Sequence, residues 1–175
     1  MSGRKEIKKE HERFHVDNFL AWFNHAYRSD FKVISEPEPP EAIIQSSNSI
    51  RWVEVTTAFW NAAYAKDINS YATPGETHVP IKLGPHFNMD QQFAKNFVDV
   101  LVKKLEKKSY LKVKSQYGKG YLIIPIYFPY LDSNTIDSMK IEWSNRKIND
   151  LDCFKSVRIC YPSISKWRLY RWPKQ

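Results

Sequence analysis

Pro40-Glu41-Ala42-Ile43-Ile44-Gln45-Ser46-Ser47-Asn48-Ser49-Ile50-Arg51-Trp52-Val53-Glu54-Val55-Thr56 holds two apolar runs split by a polar turn. The turn, Ser46 to Ser49, has the length of a hairpin loop, so the flanking runs are expected to pair as neighbouring strands. Side chains alternate along a strand, which places Trp52, Glu54 and Thr56 on one face and Val53 and Val55 on the other. A carboxylate is therefore set beside a core, and the hairpin brings Glu41 next to Glu54. Two acids within reach of one point call for a divalent cation.

Upstream of this hairpin, Glu6 to Tyr27 has the pattern of a helix, with Val16, Phe19, Leu20, Phe23 and Tyr27 recurring at three- and four-residue steps. Stepping back four residues from Val16 reaches Glu12, an acid either on the core-facing stripe or, where the first turn overhangs the core, in water, whereas Glu10 falls off the stripe. Phe31 to Ser35 alternates as a first strand and ends in Glu36-Pro37-Glu38-Pro39-Pro40, where dense prolines exclude helix and central strand.

Downstream, Thr56 or Thr57 is expected to cap a short helix over Ala58 to Tyr64. From about 66 to 87 the chain carries prolines and glycines without periodicity, which predicts a loop beyond the usual length of ~12–15 residues. Asn88 and Gln91 resemble a capping box opening a helix with Phe93, Phe97, Val100, Leu101 and Leu105 on one face. Its polar face carries Lys95, Lys103, Lys107 and Lys108. Tyr121 to Phe128, led in by Gly118 and Gly120, reads as a strand buried on both faces, with Pro125 tolerated at a bulge or where a neighbour is missing. A helix near Asn134 to Asn145 and a strand over Val157 to Tyr161 complete the order.

The expected fold is one α/β domain over residues 1–175, a mixed central sheet begun by a hairpin and flanked by helices. Lys and Arg number 27 against 19 Asp and Glu, and the resulting +8 favours an acidic partner such as nucleic acid. Cys153 and Cys160 lack metal-ligand spacing and read as buried thiols of a reducing compartment. The start, Met1 to Glu6, has no signal-peptide apolar stretch, and no run reaches the ~20 apolar residues of a membrane span, which predicts a cytoplasmic protein.

The element order and the acids resemble the PD-(D/E)xK, or restriction-endonuclease-like, nuclease superfamily over about residues 6 to 128. Glu12 matches that family's first-helix acid, Pro40-Glu41 its proline-acid step, and Glu54-Val55-Thr56 its E-x-K. The resemblance implies an αβββαβ core and a Mg²⁺- or Mn²⁺-dependent nuclease hydrolysing phosphodiesters, with DNA favoured over RNA. By that resemblance Glu41 and Glu54 hold the metal, the Val55 carbonyl adds a ligand, and Glu12 orients metal or water. Thr56 stands where lysine is expected, and a hydroxyl carries no full positive charge. Lys82, from the long loop, is a candidate nucleic-acid contact and the candidate to supply that charge, ahead of Lys95 on the polar face of its helix.

Two alternatives come from other residues. His11-Glu12-Arg13-Phe14-His15 fits the zinc-protease pattern H-E-x-x-H, with Glu36 or Glu38 as a third ligand. Against it stand Arg13, the lack of a preceding strand, and Asn18 and Ala21 where the longer motif has Gly and His; both histidines read as polar flank of the helix stripe. The tail from Ser165 to Lys174 alternates cations with rings, which suits either a packed edge strand or a phosphate-contacting surface through Arg168 and Arg171. A degenerate nuclease fold acting as a binding or scaffolding module, with a second copy or another protein as partner, is the corresponding function.

Overall fold

The polar turn closes as expected: the Ser46 amide donates to the Ser49 carbonyl at 2.9 Å and aligns the flanking runs. In the computed structural model, which describes residues 3–82, 85–148, 151–162 and 167–173, those runs are β2 (Ala42–Gln45) and β3 (Ile50–Val55). They pair antiparallel with Ala42 opposite Val53, and one further step in this register sets Glu41 opposite Glu54. Before them lie α1 (Arg4–Tyr27) and β1 (Lys32–Ser35), and β1 extends the meander antiparallel to β2.

After the meander come β4 (Ala58–Phe59), α2 (Ala62–Ala72), α3 (Met89–Leu105), α4 (Ser109–Tyr117), β5 (Gly120–Tyr127), α5 (Ser133–Asn145), β6 (Phe154–Pro162) and β7 (Trp167–Trp172). They complete a seven-stranded mixed sheet of order β1-β2-β3-β5-β6-β7, with β4 also pairing β5. Strands β3, β5 and β6 run parallel, and β7 closes the far edge antiparallel to β6. The α/β class and the hairpin-led mixed sheet are thus as expected.

Alternation divides the core into two layers. Val53 and Val55 face α1, where Val16, Phe19 and Leu20 pack on Ile44, Tyr121 and Ile123. Trp52 and Ile43 face the opposite layer, which holds Phe93, Phe97 and Leu101 of α3. β5 is buried on both faces, as its unbroken apolar run demands. The α1 stripe overhangs this core at its end, since Tyr27 is exposed. Among the described residues, no helix is long and apolar enough to cross a membrane.

Pro125 sits opposite the break between β3 and β4. Val55 pairs with Ile123 and Ala58 with Ile126, leaving Thr56 and Thr57 to step across the gap. The Ile123 and Tyr127 carbonyls accept from Thr56 and Trp60 on this side, so alternation aims the proline nitrogen into the gap, where no ladder bond is lost.

Several local expectations need correction. Ala58 and Phe59 form strand rather than helix because β5 has an open edge for them, and the helix begins at Ala62, with the Asn61 side chain accepting from the Tyr64 amide. That helix runs to Ala72, so the loop expected from 66 starts only at Thr73. Asn88 does cap α3, but from a left-handed conformation without a side-chain bond, so no capping box forms. The helix α4 was not expected, because its short apolar content is interrupted by lysines and only Tyr110 is buried.

The two glycines before β5 have separate reasons. Gly118 ends α4 at φ +74°, a backbone region that penalises a Cβ, and its carbonyl accepts from the Trp52 indole at 2.7 Å. A Cβ on Gly120 would collide with the buried Trp52 ring. We expect Gly120→Ala to lower stability by about 1–3 kcal/mol through overpacking, read as a reduced midpoint in urea unfolding. An unchanged midpoint would mean that the Trp52 ring can move aside.

Candidate active site

Three acids approach the open end of the sheet from different elements. Glu54 is carried inward by β3 on the Trp52 face and is 1% exposed. Glu41, just before β2, lies on the same face by hairpin register and is half-buried. Glu12 comes from α1 on the other side of the sheet; it lines a cavity of about 620 Å³ together with Glu41 and holds Lys8 at 3.1 Å.

Beside Glu54 stands Lys104, in the last turn of α3. Its ammonium donates to Glu54 Oε1 at 2.5 Å and lies 3.4 Å from the Tyr110 hydroxyl. Lys82 is exposed and does not border the cavity, and Lys95 is exposed on the polar face of its helix, as expected. Lys104 had a sequence signal. It falls three residues after Leu101 and seven after Phe97, on the apolar stripe of α3. The stepping that singles out Glu12 on α1 also singles out this lysine.

The electrostatics are those of acids gathered with too little positive charge. Burial, followed by the charges of Glu54 and Glu12, pushes the Glu41 carboxyl up to about 7. Glu54 Oε2 is buried and has no hydrogen-bond partner, an expensive position for a carboxylate oxygen. Burial and then the Glu54 charge push the Tyr110 phenol well above its ordinary value.

These donors fit a hard divalent cation, which takes one or two carboxylates and retains several waters. Glu41 borders the cavity, as does Val55, whose carbonyl is the third expected ligand; Glu54, with one buried oxygen unpartnered, is not among the residues that border it. Among the described residues, no three His, Cys, Asp or Glu side chains gather closely enough to hold a metal together. Glu54 and Glu12 both act on Glu41 through their charges, yet the three acids do not gather into the expected metal-holding cluster. Thr56 borders the cavity as well, with its amide donating to the Ile123 carbonyl.

The H-E-x-x-H residues are arranged differently from either reading of them. His15 is buried, not a polar flank, and its Nε2 and that of His11 share a hydrogen bond at 3.2 Å. His11 Nε2 also meets the Tyr127 hydroxyl at 3.0 Å, while Cys160 Sγ lies 3.6 Å from His15 Nδ1. Burial, then the neighbouring His11, drives the His15 imidazole down to about 3. Glu36 pairs with Lys9 and Arg13, and Glu38 with Lys8, instead of turning to the histidines. Both cysteines are free and buried.

Arg168 and Arg171 are exposed on β7, apart from the cavity. The rings beside them pack: Trp167 lies 4.7 Å from the His15 ring, Tyr170 stacks on Tyr161, and Trp172 meets Phe97. Ser165, Lys166 and Lys174 lie outside the described residues. Comparison with protein-family models, curated proteins and solved structures finds no match to this chain.

A raised carboxyl has a defined pH signature. An unfolded glutamate titrates near about 4.3 and folded Glu41 at about 7, so between these values the folded state holds the extra proton. Raising pH through that window removes it and erodes stability. In chelator, we expect the Tm of the wild type to fall relative to that of Glu41→Gln between about pH 4.5 and about pH 7. Parallel Tm profiles would exclude a raised Glu41 carboxyl.

Proposed function

We propose that this protein is a divalent-metal-dependent nuclease that hydrolyses phosphodiesters, with DNA favoured over RNA. One observation carries the reading: Glu54 is buried at the end of a core strand, with the Lys104 ammonium on one oxygen and no partner on the other, beside a Glu41 whose carboxyl is raised. A structural ion pair would satisfy its remaining oxygen within the protein. Here a carboxylate oxygen and a second acid are left for a cation.

Mg²⁺ or Mn²⁺ bound there supplies Lewis-acid stabilisation of phosphate and a more acidic bound water. The chain's own residues do the rest. Glu41 and Glu54 hold the ion, and Glu12 at the cavity rim orients water. Lys104 supplies the fixed positive charge that offsets charge developing on the phosphate, the role that the resemblance gives to the third residue of E-x-K. Lysine on α3 in place of lysine on β3 preserves that charge while leaving Thr56 neutral. The excess of basic side chains, +8 over the chain, favours approach of a polyanion.

The test is cleavage of single-stranded and duplex oligonucleotides in Mg²⁺ and Mn²⁺. Glu54→Gln is expected to abolish cleavage with the fold retained, and Lys104→Met to reduce kcat by about 10²–10³-fold. Thr56→Ala is expected to cost far less than either. Full cleavage by Glu54→Gln would sink the site. Salt-sensitive DNA binding without cleavage by the wild type in either metal would instead leave a binding module.

A further inference from the structure

Glu12 and Glu41 open onto a cavity that metal chemistry alone does not require. It measures about 620 Å³, within the range of ligand pockets, and lies between the start of α1, the β3–β4 break and α2. Its walls are unlike those of an electrostatic groove. Phe59 and Tyr127 stack on each other with centroids 5.5 Å apart and planes at 28°, and both border the space. Ile7, Ile68 and Ala72 continue the apolar lining, and Asn69 brings an amide into it. The cations Arg4, Lys5 and Lys8 border it from the first turns of α1, where all three are exposed.

We propose that this cavity receives an unpaired nucleotide next to the scissile phosphate, so that the substrate is a single-stranded nucleic acid or a single-stranded segment. The inference rests on the nuclease reading for what happens at the acids, but the cavity's ligand chemistry stands on its walls. A base in continuous duplex has both faces stacked and its pairing edge occupied, so it presents no ring to a concave aromatic pocket. An unpaired base does, and aromatic stacking with cations on the backbone is how single strands are held without sequence reading.

A histidine pair, His15 buried and His11 half-buried at the cavity, braces this wall. His11 holds the Tyr127 hydroxyl, and His15, itself enclosed by Trp167 and Cys160, holds His11. These are positioning residues for the ring that a base would meet. The step in the chain at Thr56 and Thr57 brings Phe59 against that ring, and both border the space that Glu41 and Lys104 also border.

Fluorescence anisotropy in chelator, where nothing is cut, tests the cavity separately from the chemistry. The probes are a short labelled single strand, as DNA and as RNA, and a blunt duplex of the same sequence. The single strand, in its DNA or RNA form, is expected to bind more tightly than the duplex. Phe59→Ala is expected to weaken that binding by about tenfold, and Ala72→Trp, which fills the space from an exposed position, to weaken it similarly without disturbing the core. Equal affinity for duplex, or single-strand affinity unchanged in both variants, would overturn the proposal. If Phe59-dependent binding persists without cleavage in Mg²⁺ or Mn²⁺, the nuclease reading fails and the cavity assignment holds. If cleavage occurs while binding ignores Phe59 and Ala72→Trp, the cavity assignment fails alone.

Discussion

Glu54 beneath the sheet, bound by Lys104 at 2.5 Å, constrains the elements on either side of it. Its carboxylate is 2% exposed while the lysine side chain keeps 23%, so the acid carries most of the desolvation. Removing one member of a buried pair typically costs about 3–5 kcal/mol because the other is stranded. The last turn of α3 must therefore reach β3, and Tyr110 of α4 must stand beside the ammonium. The Trp52 indole, two residues earlier on the same face, ties the end of α4 to that strand through the Gly118 carbonyl.

What was legible in the sequence followed from periodicity carried over several residues. The hairpin had alternation, a polar turn and matching lengths, so both strands and the facing of Glu41 and Glu54 could be read. The long strand β5 was legible because an apolar run of that length has few other places to go. Ala58 and Phe59 were not, because a two-residue strand has no period and exists only through the open edge of β5 beyond Val55. Lys66 to Ala72 is not legible as helix, because the prolines and glycines downstream dominate a window that α2 enters from the other side.

The site was half legible for a different reason. Glu12 and Glu54 were found by noticing a charge where the pattern called for an apolar residue. Lys104 and His15 violate their stripes in the same way, but the E-x-K pattern points to position 56 and to loops, and H-E-x-x-H points to ligands or surface. A polar residue on an apolar stripe needs a partner inside the protein, whatever motif it belongs to. Lys104 finds Glu54, and His15 finds His11 and Cys160.

The break between β3 and β4 connects these pieces. A continuous strand through Thr56 and Thr57 would seal the sheet edge and require an amide at position 125 to complete the ladder. Proline there removes that donor, and the two threonines step out to meet β5 again at Ala58. The step turns Phe59 toward Tyr127 and leaves a space bounded by Glu12, Glu41 and Lys104. A single backbone constraint thus puts an aromatic wall and a charged floor into one cavity. On the proposed reading, the acids would act on a phosphate and the rings would select the strand that brings it there.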